Sequence, residues 1–374
     1  MKHININKII KLYCLALSLF CIQPISSQNL SLKDCQTGRG IPFANIISSD
    51  GKLVGLSNIN GNINKTKILK SLKERNNKLI IQHLSYDNYN ISVESFKDVD
   101  TLKMNKRQNL LPEVTAIPEN KKVYDYIVIT GYYRCYQLED SITKYYKDGI
   151  VEFYIPKKGK NIKRIVLNSR YFLNKELIEQ QKTRKFMVNI NGTVIPNLNQ
   201  GSILDELGKQ YTTKEYQGAK LILRSDSVVG TLRPDSSRGL INIYVDLIAP
   251  QNEEIHNLFN YTSRITNINI SENYWSGEIS SFSKSDLESK KEYRKLFFKH
   301  KKDKSETAID IISELYIVDK KYVSKEDYSK KKKVSDQSYS SVFSNEYWND
   351  LSRYNIPQLS EPIKLLLDNK LIKE

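Results

Sequence analysis

Four of the 374 residues are cysteine, four histidine, three methionine and two tryptophan. Cysteine this sparse excludes a disulfide scaffold or a cysteine-rich zinc module. Past residue 28 there is no run of 18 or more apolar residues, so no segment there suits a bilayer-spanning helix. No fixed period recurs, which argues against a repeat array. Nor is there a Gly-x-Ser-x-Gly elbow, a phosphate loop or a dinucleotide fingerprint. The usual devices for exposing a serine nucleophile or cradling a nucleotide are therefore missing.

What is there begins with a leader. Lys2, Lys8 and Lys11 accompany an apolar stretch over 12–22, and Pro24-Ile25-Ser26-Ser27 leads to Gln28. A basic start, an apolar run of roughly 7–15 residues and small residues at the exit read as a secretory signal peptide, with cleavage expected after Ser27. A retained anchor needs about 20 apolar residues, and this run meets Gln23 and Pro24 first. The bulky Phe20 before Cys21 disfavours a lipid anchor. Cleavage would take Cys14 and Cys21 away and leave Cys35 and Cys135, which an oxidising compartment allows, but does not oblige, to form one disulfide. It would leave 55 of the 58 Lys and Arg against 42 Asp and Glu, lowering the net charge from +16 to +13. An excess of that size can favour nucleic acid, anionic lipid or acidic polysaccharide. Lys, Asn, Ile and Tyr are abundant together, however, and all have A/T-rich codons, so base composition accounts for the charge ahead of a selected anion-binding surface. No nucleic-acid partner is expected.

Residues 30–114 alternate in short runs broken by turn residues: a strand from Ser31, a turn at Thr37-Gly38-Arg39-Gly40, a strand over 43–48, and a turn at Ser49-Asp50-Gly51. Such spacing reads as a β-sandwich. Gly61 after Asn58 and Asn60 supplies a positive φ between two strands.

The residues Thr37-Gly38, Ile41-Pro42-Phe43-Ala44-Asn45-Ile46, Gly55, Ser57-Asn58-Ile59-Asn60-Gly61 and Leu79-Ile80-Ile81-Gln82-His83-Leu84-Ser85-Tyr86 resemble the carboxypeptidase regulatory-like domain. Leu110-Leu111-Pro112-Glu113-Val114 resembles its ending in Bacteroidetes envelope proteins. The resemblance implies a non-catalytic, prealbumin-like sandwich of about seven strands. Three departures stand out: Asn58 where the family often has Asp, Ser85 where it usually has Gly, and a basic insertion over 65–78 with helical character. A zinc peptidase would need a His-x-x-Glu pair and a distant third ligand. His83, His256 and His300 lack that glutamate; His300 has Asp303 there, inside a solvated basic run. No metal or other cofactor is expected.

After a polar boundary near 117–122, β-prone runs dominate. Residues 124–136 and 142–146, Lys147-Asp148-Gly149 and 150–155 read as strands with a turn at Asp148-Gly149; 186–190, Asn191-Gly192 and 193–195 read as a second hairpin. Further strands are expected over 221–224, 240–248, where Ile241, Ile243, Val245 and Leu247 alternate, and 274–282. Helices are expected over 175–185, over 285–299, and at the C-terminus, where Ser360 and Pro362 precede Ile363, Leu366, Leu367 and Leu371 on one face. Tyr132-Tyr133-Arg134-Cys135-Tyr136-Gln137-Leu138, the Tyr145-to-Tyr154 segment, Ser313-Glu314-Leu315-Tyr316, Tyr347-Trp348 and Ile356-Pro357 resemble a group of Bacteroidetes proteins carrying the same module. That resemblance implies an envelope location and no activity.

The expected fold is mainly β: a sandwich over 28–117, a larger antiparallel β-rich α+β domain over 118–320, and a basic loop and C-terminal helix over 321–374 that packs on it, behind the leader 1–27. The span after 117 is too short for a transporter barrel of about 22 strands. Asp148 and Glu152, divided between a turn and a strand, have no reason to act as a carboxylate pair. The Lys330–Lys333 run reads as a solvated loop. The expected role is a non-enzymatic exported protein, periplasmic or at the outer membrane, with envelope proteins or outer-membrane components as partners and anionic lipid or glycan as a further ligand class. A periplasmic amphiphile carrier with a curved sheet, and a glycan-binding or glycan-processing protein supported by the 24 tyrosines and two tryptophans as stacking platforms, are the alternatives.

Overall fold

The computed structural model describes residues 28–72, 77–108, 113–114, 124–159, 161–182, 191–199, 203–216, 218–248, 254–276, 282–330, 341–343, 346–354, 356–359, 361–369 and 372–373. The leader, the expected strand over 186–190 and residues 331–333 of the lysine run lie outside these.

Seven strands come first: β1 (Asn29–Asp34), β2 (Asn45–Ser48), β3 (Leu53–Leu56), β4 (Asn62–Asn64), β5 (Lys78–His83), β6 (Tyr86–Ser92) and β7 (Thr101–Met104). They form two sheets, ordered β4-β1-β7 and β3-β2-β5-β6. Alternate residues of β1 and β5 are buried, because side chains along a strand point to opposite faces. Leu30, Leu32, Leu79 and Ile81 thereby meet Ile46, Ile63 and Phe96 in one core. The sandwich read from the sequence is present. Gly61 has φ 79°, and a Cβ there would run into backbone of Leu32, Gly40 and Ile41. The basic insertion opens as a helix, Lys65–Ser71, whose first turn is capped by Asn64 and whose Ile68 faces the core.

The rest is one large sheet: β8 (Glu113–Val114), β9 (Tyr126–Glu139), β10 (Ile142–Pro156), β11 (Lys163–Leu173), β12 (Thr212–Tyr216), β13 (Ala219–Arg224), β14 (Ser227–Asp235), β15 (Leu240–Asp246), β16 (Glu254–Leu258), β17 (Tyr261–Trp275), β18 (Leu287–His300), β19 (Thr307–Val323) and β20 (Ile372–Lys373). Its order is β12-β13-β14-β15-β17-β18-β19-β9-β10-β11-β20, with β16 on β17 and β8 on β19. Among the described residues of this sheet, only the β8–β19 pairing is parallel. A twisted sheet this wide curls. Val151 and Phe153 of one limb and Ile222, Ile241, Ile243 and Val245 of the other accordingly belong to one buried apolar cluster.

Several local expectations are corrected. Asp148-Gly149 is not a turn: β10 runs straight through it, and the hairpin turns at Asp140-Ser141, both at positive φ. Gly149 serves close packing instead, since a Cβ there would strike the Asn168 carbonyl and the Tyr133 ring. Residues 285–299 are not a helix but mostly β18, held between β17 and β19. Their charges sit at helix-like spacing, yet partners across the strands satisfy them, such as Lys290 with Glu272 at 2.9 Å. Of the strand expected over 274–282, Tyr274 and Trp275 end β17, and 277–281 lie outside the described residues. Residues 193–195 are irregular rather than strand. The helix over 175–185 is described as Lys175–Lys182, and β19 runs past residue 320 to Val323.

The N-terminal sandwich lies on the outer face of the large sheet through specific polar contacts. Lys291 Nζ donates to the Phe43 carbonyl (3.0 Å) and Asn45 Oδ1 (2.8 Å). Asn273 Nδ2 donates to Ser85 Oγ (2.9 Å), and Lys106 Nζ to Asp235 Oδ1 (2.7 Å). Ser85 is thus used in the docking. The C-terminal helix, Glu361–Asn369, wedges into the same junction: Ile363 is buried in a cluster that unites Tyr136, Tyr146 and Phe172 of the sheet with Ile47 and Leu53 of the sandwich.

Candidate ligand-binding site

Antiparallel pairing sets residues from five strands side by side on the outer face. Arg170 of β11 lies opposite Asp148 of β10, Asp148 opposite Arg134 of β9, Arg134 opposite Glu314 of β19, and Glu314 opposite Lys291 of β18. The result is an alternating row of five charges, all buried or nearly so. One aromatic row borders it with Phe172, Tyr146, Tyr136 and Tyr293, and another with Tyr132 and Tyr316. Charges removed from water to this extent persist only when paired or hydrogen-bonded. Four of the five are ion-paired, and Lys291 is held by the Phe43 and Asn45 oxygens. Arg170 grips Asp148 with two bonds, Nε to Oδ1 at 2.9 Å and Nη2 to Oδ2 at 2.5 Å. Tyr132 and Tyr146 each donate to Asp148 Oδ2 at 3.1 Å. Arg134 Nε donates to Glu314, as does the Tyr316 hydroxyl at 3.1 Å.

The C-terminal tail closes over one end of this row. Tyr347 donates to Asp148 Oδ1 at 2.8 Å, and Arg134 Nη1 donates to the Pro357 carbonyl at 2.6 Å. Val342 bridges to Ser169 on β11. Trp348 is then carried over Arg170, whose guanidinium carbon stands 4.0 Å from the indole centroid. A cleft of about 480 Å³ remains between tail and sheet, with Arg134, Arg170, Phe172, Trp348, Pro357 and Lys364 in its wall. Trp348 and Lys364 are half-buried. Arg170 turns Nε and Nη2 to Asp148.

Electrostatics moves the groups of this cluster away from neutral titration. Burial, and then Asp148, push the phenols of Tyr132, Tyr146 and Tyr347 above their ordinary values. Burial works against ionisation of Glu314, but Arg134 and Lys291 more than offset it and hold that carboxyl below 4.5. Burial likewise opposes the charge on Arg170, and Asp148 outweighs it. Lys291 is the exception, brought down to about 8 by burial, and its ammonium is spent on the Phe43 and Asn45 oxygens. Apart from Lys291, the shifted groups are a fixed guanidinium, an ionised Glu314 and neutral phenols. General acid–base work at neutral pH needs a group poised near it.

The residues singled out from the sequence fall in different places. Cys35 is exposed in the turn after β1; Cys135 is buried on the apolar side of β9, its Sγ 3.1 Å from the Val194 carbonyl, with its pKa pushed up to about 12 by burial. Both are free cysteines in the structure. Asp148 and Glu152 share one face of β10, yet each has its own cation, Lys321 serving Glu152 at 2.7 Å. Four residues of strand separate them by about 13 Å, beyond the roughly 5–9.5 Å of a glycosidase pair. Among the described residues no three metal-ligating side chains gather, and no helix is long and apolar enough to cross a membrane. Trp348, Arg170, Arg134 and Glu314 were not marked as a site by sequence reasoning. The signals were the tryptophans as sugar-stacking platforms and the segments around Tyr132-Tyr133-Arg134, Ser313-Glu314, Tyr347-Trp348 and Ile356-Pro357, which converge here.

Comparison with protein-family models and with curated proteins finds no match for the chain.

Proposed function

We propose that this chain is an exported, non-enzymatic binding protein of the bacterial cell envelope. In this reading a carboxypeptidase regulatory-like module braces the large sheet, and the cleft beside Trp348 takes an acidic glycan. The observation that carries it is the Arg170–Trp348 stack at 4.0 Å in the cleft wall, with Lys364 beside it. A guanidinium supplies planar, charged donors for a carboxylate, and an indole face suits the C–H face of a sugar ring. The leader-like first 27 residues and the resemblance of residues 30–114 support the location. The displaced titrations of the phenols and Glu314 support binding over catalysis.

An amphiphile carrier has less support, because among the described residues the curved apolar face is occupied by a contiguous cluster that includes Tyr133, Phe153 and Ile243. Titration calorimetry of the mature protein with a uronic-acid oligosaccharide tests the proposal. W348A should weaken binding about tenfold, consistent with the loss of a partly desolvated aromatic contact, and chromatography should return the ligand intact. Equal binding by W348A would remove the cleft from consideration; cleavage of the ligand would replace the binding role with an enzymatic one.

A further inference from the structure

At the end of the sheet where β17 begins and β18 ends, one aromatic side chain combines a left-handed backbone with nearly complete exposure. β16 and β17 pair with Leu258 opposite Tyr261, so Phe259 and Asn260 form the turn. Phe259 has φ 53° and is 96 % exposed. The left-handed region suits glycine or asparagine, and a bulky residue there is an outlier. Neither cost is offset by burial within the chain.

The surroundings of Phe259 are basic. The Lys301 amide donates to the Asn260 carbonyl at 2.8 Å, which sets the β18–β19 turn directly beside the hairpin tip. That turn exposes Lys301, Lys302 and Lys304. Its acids are engaged: Asp303 accepts from the His300 amide (2.9 Å), and Glu306 pairs with Arg264 (2.8 Å). The β9–β10 turn reaches the same end, since the Asp140 amide donates to the Ala308 carbonyl (2.8 Å), and it exposes Ile142. The base of the tip is stiff, with Tyr261 stacked on Phe298 at 5.2 Å.

We propose that this end of the sheet, Phe259 at its tip and the lysine turn beside it, is the surface by which the protein docks on an anionic lipid bilayer. A convex aromatic tip presents no concavity for a folded partner to fill, whereas the interfacial zone of a bilayer closes around it, and lysines next to it meet anionic head groups. The inference is independent of the cleft, which lies among other strands and the tail, so either fails without the other.

The test uses the mature full chain and two vesicle types, phosphatidylcholine alone and phosphatidylcholine with one third phosphatidylglycerol. F259W carries a reporter at the tip. The emission it adds over the wild type, whose Trp275 and Trp348 also fluoresce, should shift to the blue with the anionic vesicles and stay that of a water-exposed indole with the zwitterionic ones. In co-sedimentation with the anionic vesicles F259S should bind at least tenfold more weakly. K301E/K304E should lose more than that, each lysine being worth roughly fivefold near such a surface. All three variants should melt with the wild type, because the substituted side chains are exposed. Wild-type retention by F259S, an unshifted F259W with anionic vesicles, or equal binding to both vesicle types would overturn the proposal.

Discussion

Replacing Glu314 by glutamine preserves side-chain shape and deletes one charge from the middle of the buried row. The carboxylate is flanked across the strands by Arg134 and Lys291, 5 % and 3 % exposed, and also accepts from Tyr316. Without it two cations face a neutral amide in a site closed to water. Removing one partner of a buried pair costs about 3–5 kcal/mol. Lys291, already brought down to about 8, relieves part of that by releasing its proton. At roughly 2–4 °C per kcal/mol for chains of this order of size, E314Q should melt on the order of 10 °C lower. Scanning calorimetry at pH 7 measures this directly. The double variant R134M/E314M should recover most of the loss, because well-packed apolar replacements of a buried pair are near neutral. Recovery stops short by about 1 kcal/mol, since Arg134 also donates to the Pro357 carbonyl. The pH dependence has a definite sign. Glu314 titrates below 4.5 in the fold, so its contribution is present above that pH and is lost as pH falls through the lower folded value. Wild type should therefore lose stability in acid more steeply than E314Q. An E314Q melting point within a degree or two of wild type, or a double variant as unstable as the sum of the singles, would refute the paired-row argument.

Two further predictions concern buried groups. In the native mature protein a thiol reagent should label Cys35 quickly and Cys135 only after denaturation, with two thiols titrating in denaturant before any reductant is added; zero would restore the disulfide. His83, buried where the sandwich meets the sheet, accepts from the Ser85 amide at 3.0 Å. Burial, then Lys291, Arg238 and Arg107, hold it well below 6.5. The unfolded chain takes up that proton near pH 6.5 and the folded one does not, so stability falls as pH drops below that value. H83N should flatten the change in urea midpoint between pH 7 and 5.5, and an unchanged slope would exclude His83 as its source.

The β-rich class, the two-sheet sandwich and the alternation of Ile241, Ile243 and Val245 follow from strand periodicity, which is local and written into consecutive residues. The apolar stripe of the C-terminal helix is local in the same sense. Asp148-Gly149 misled because the dipeptide is a turn signal by propensity, while the space beside Gly149 is decided by Asn168 and Tyr133 on the two neighbouring strands. Residues 285–299 misled because their charges are helix-spaced, and only β17 and β19 on either side decide that they extend.

The candidate site lies at the far end of this scale. Arg170, Asp148, Arg134, Glu314 and Lys291 come from five strands, and a single-residue slip in any pairing would turn one of them to the opposite face. Bulges help to set that register, at Thr143/Tyr145 between β9 and β10 and at Ile317/Asp319 between β9 and β19. Strand periodicity, local to each segment, was therefore legible from the sequence. The register that assembles one face from distant segments belongs to the tertiary structure, and the charged row exists only there.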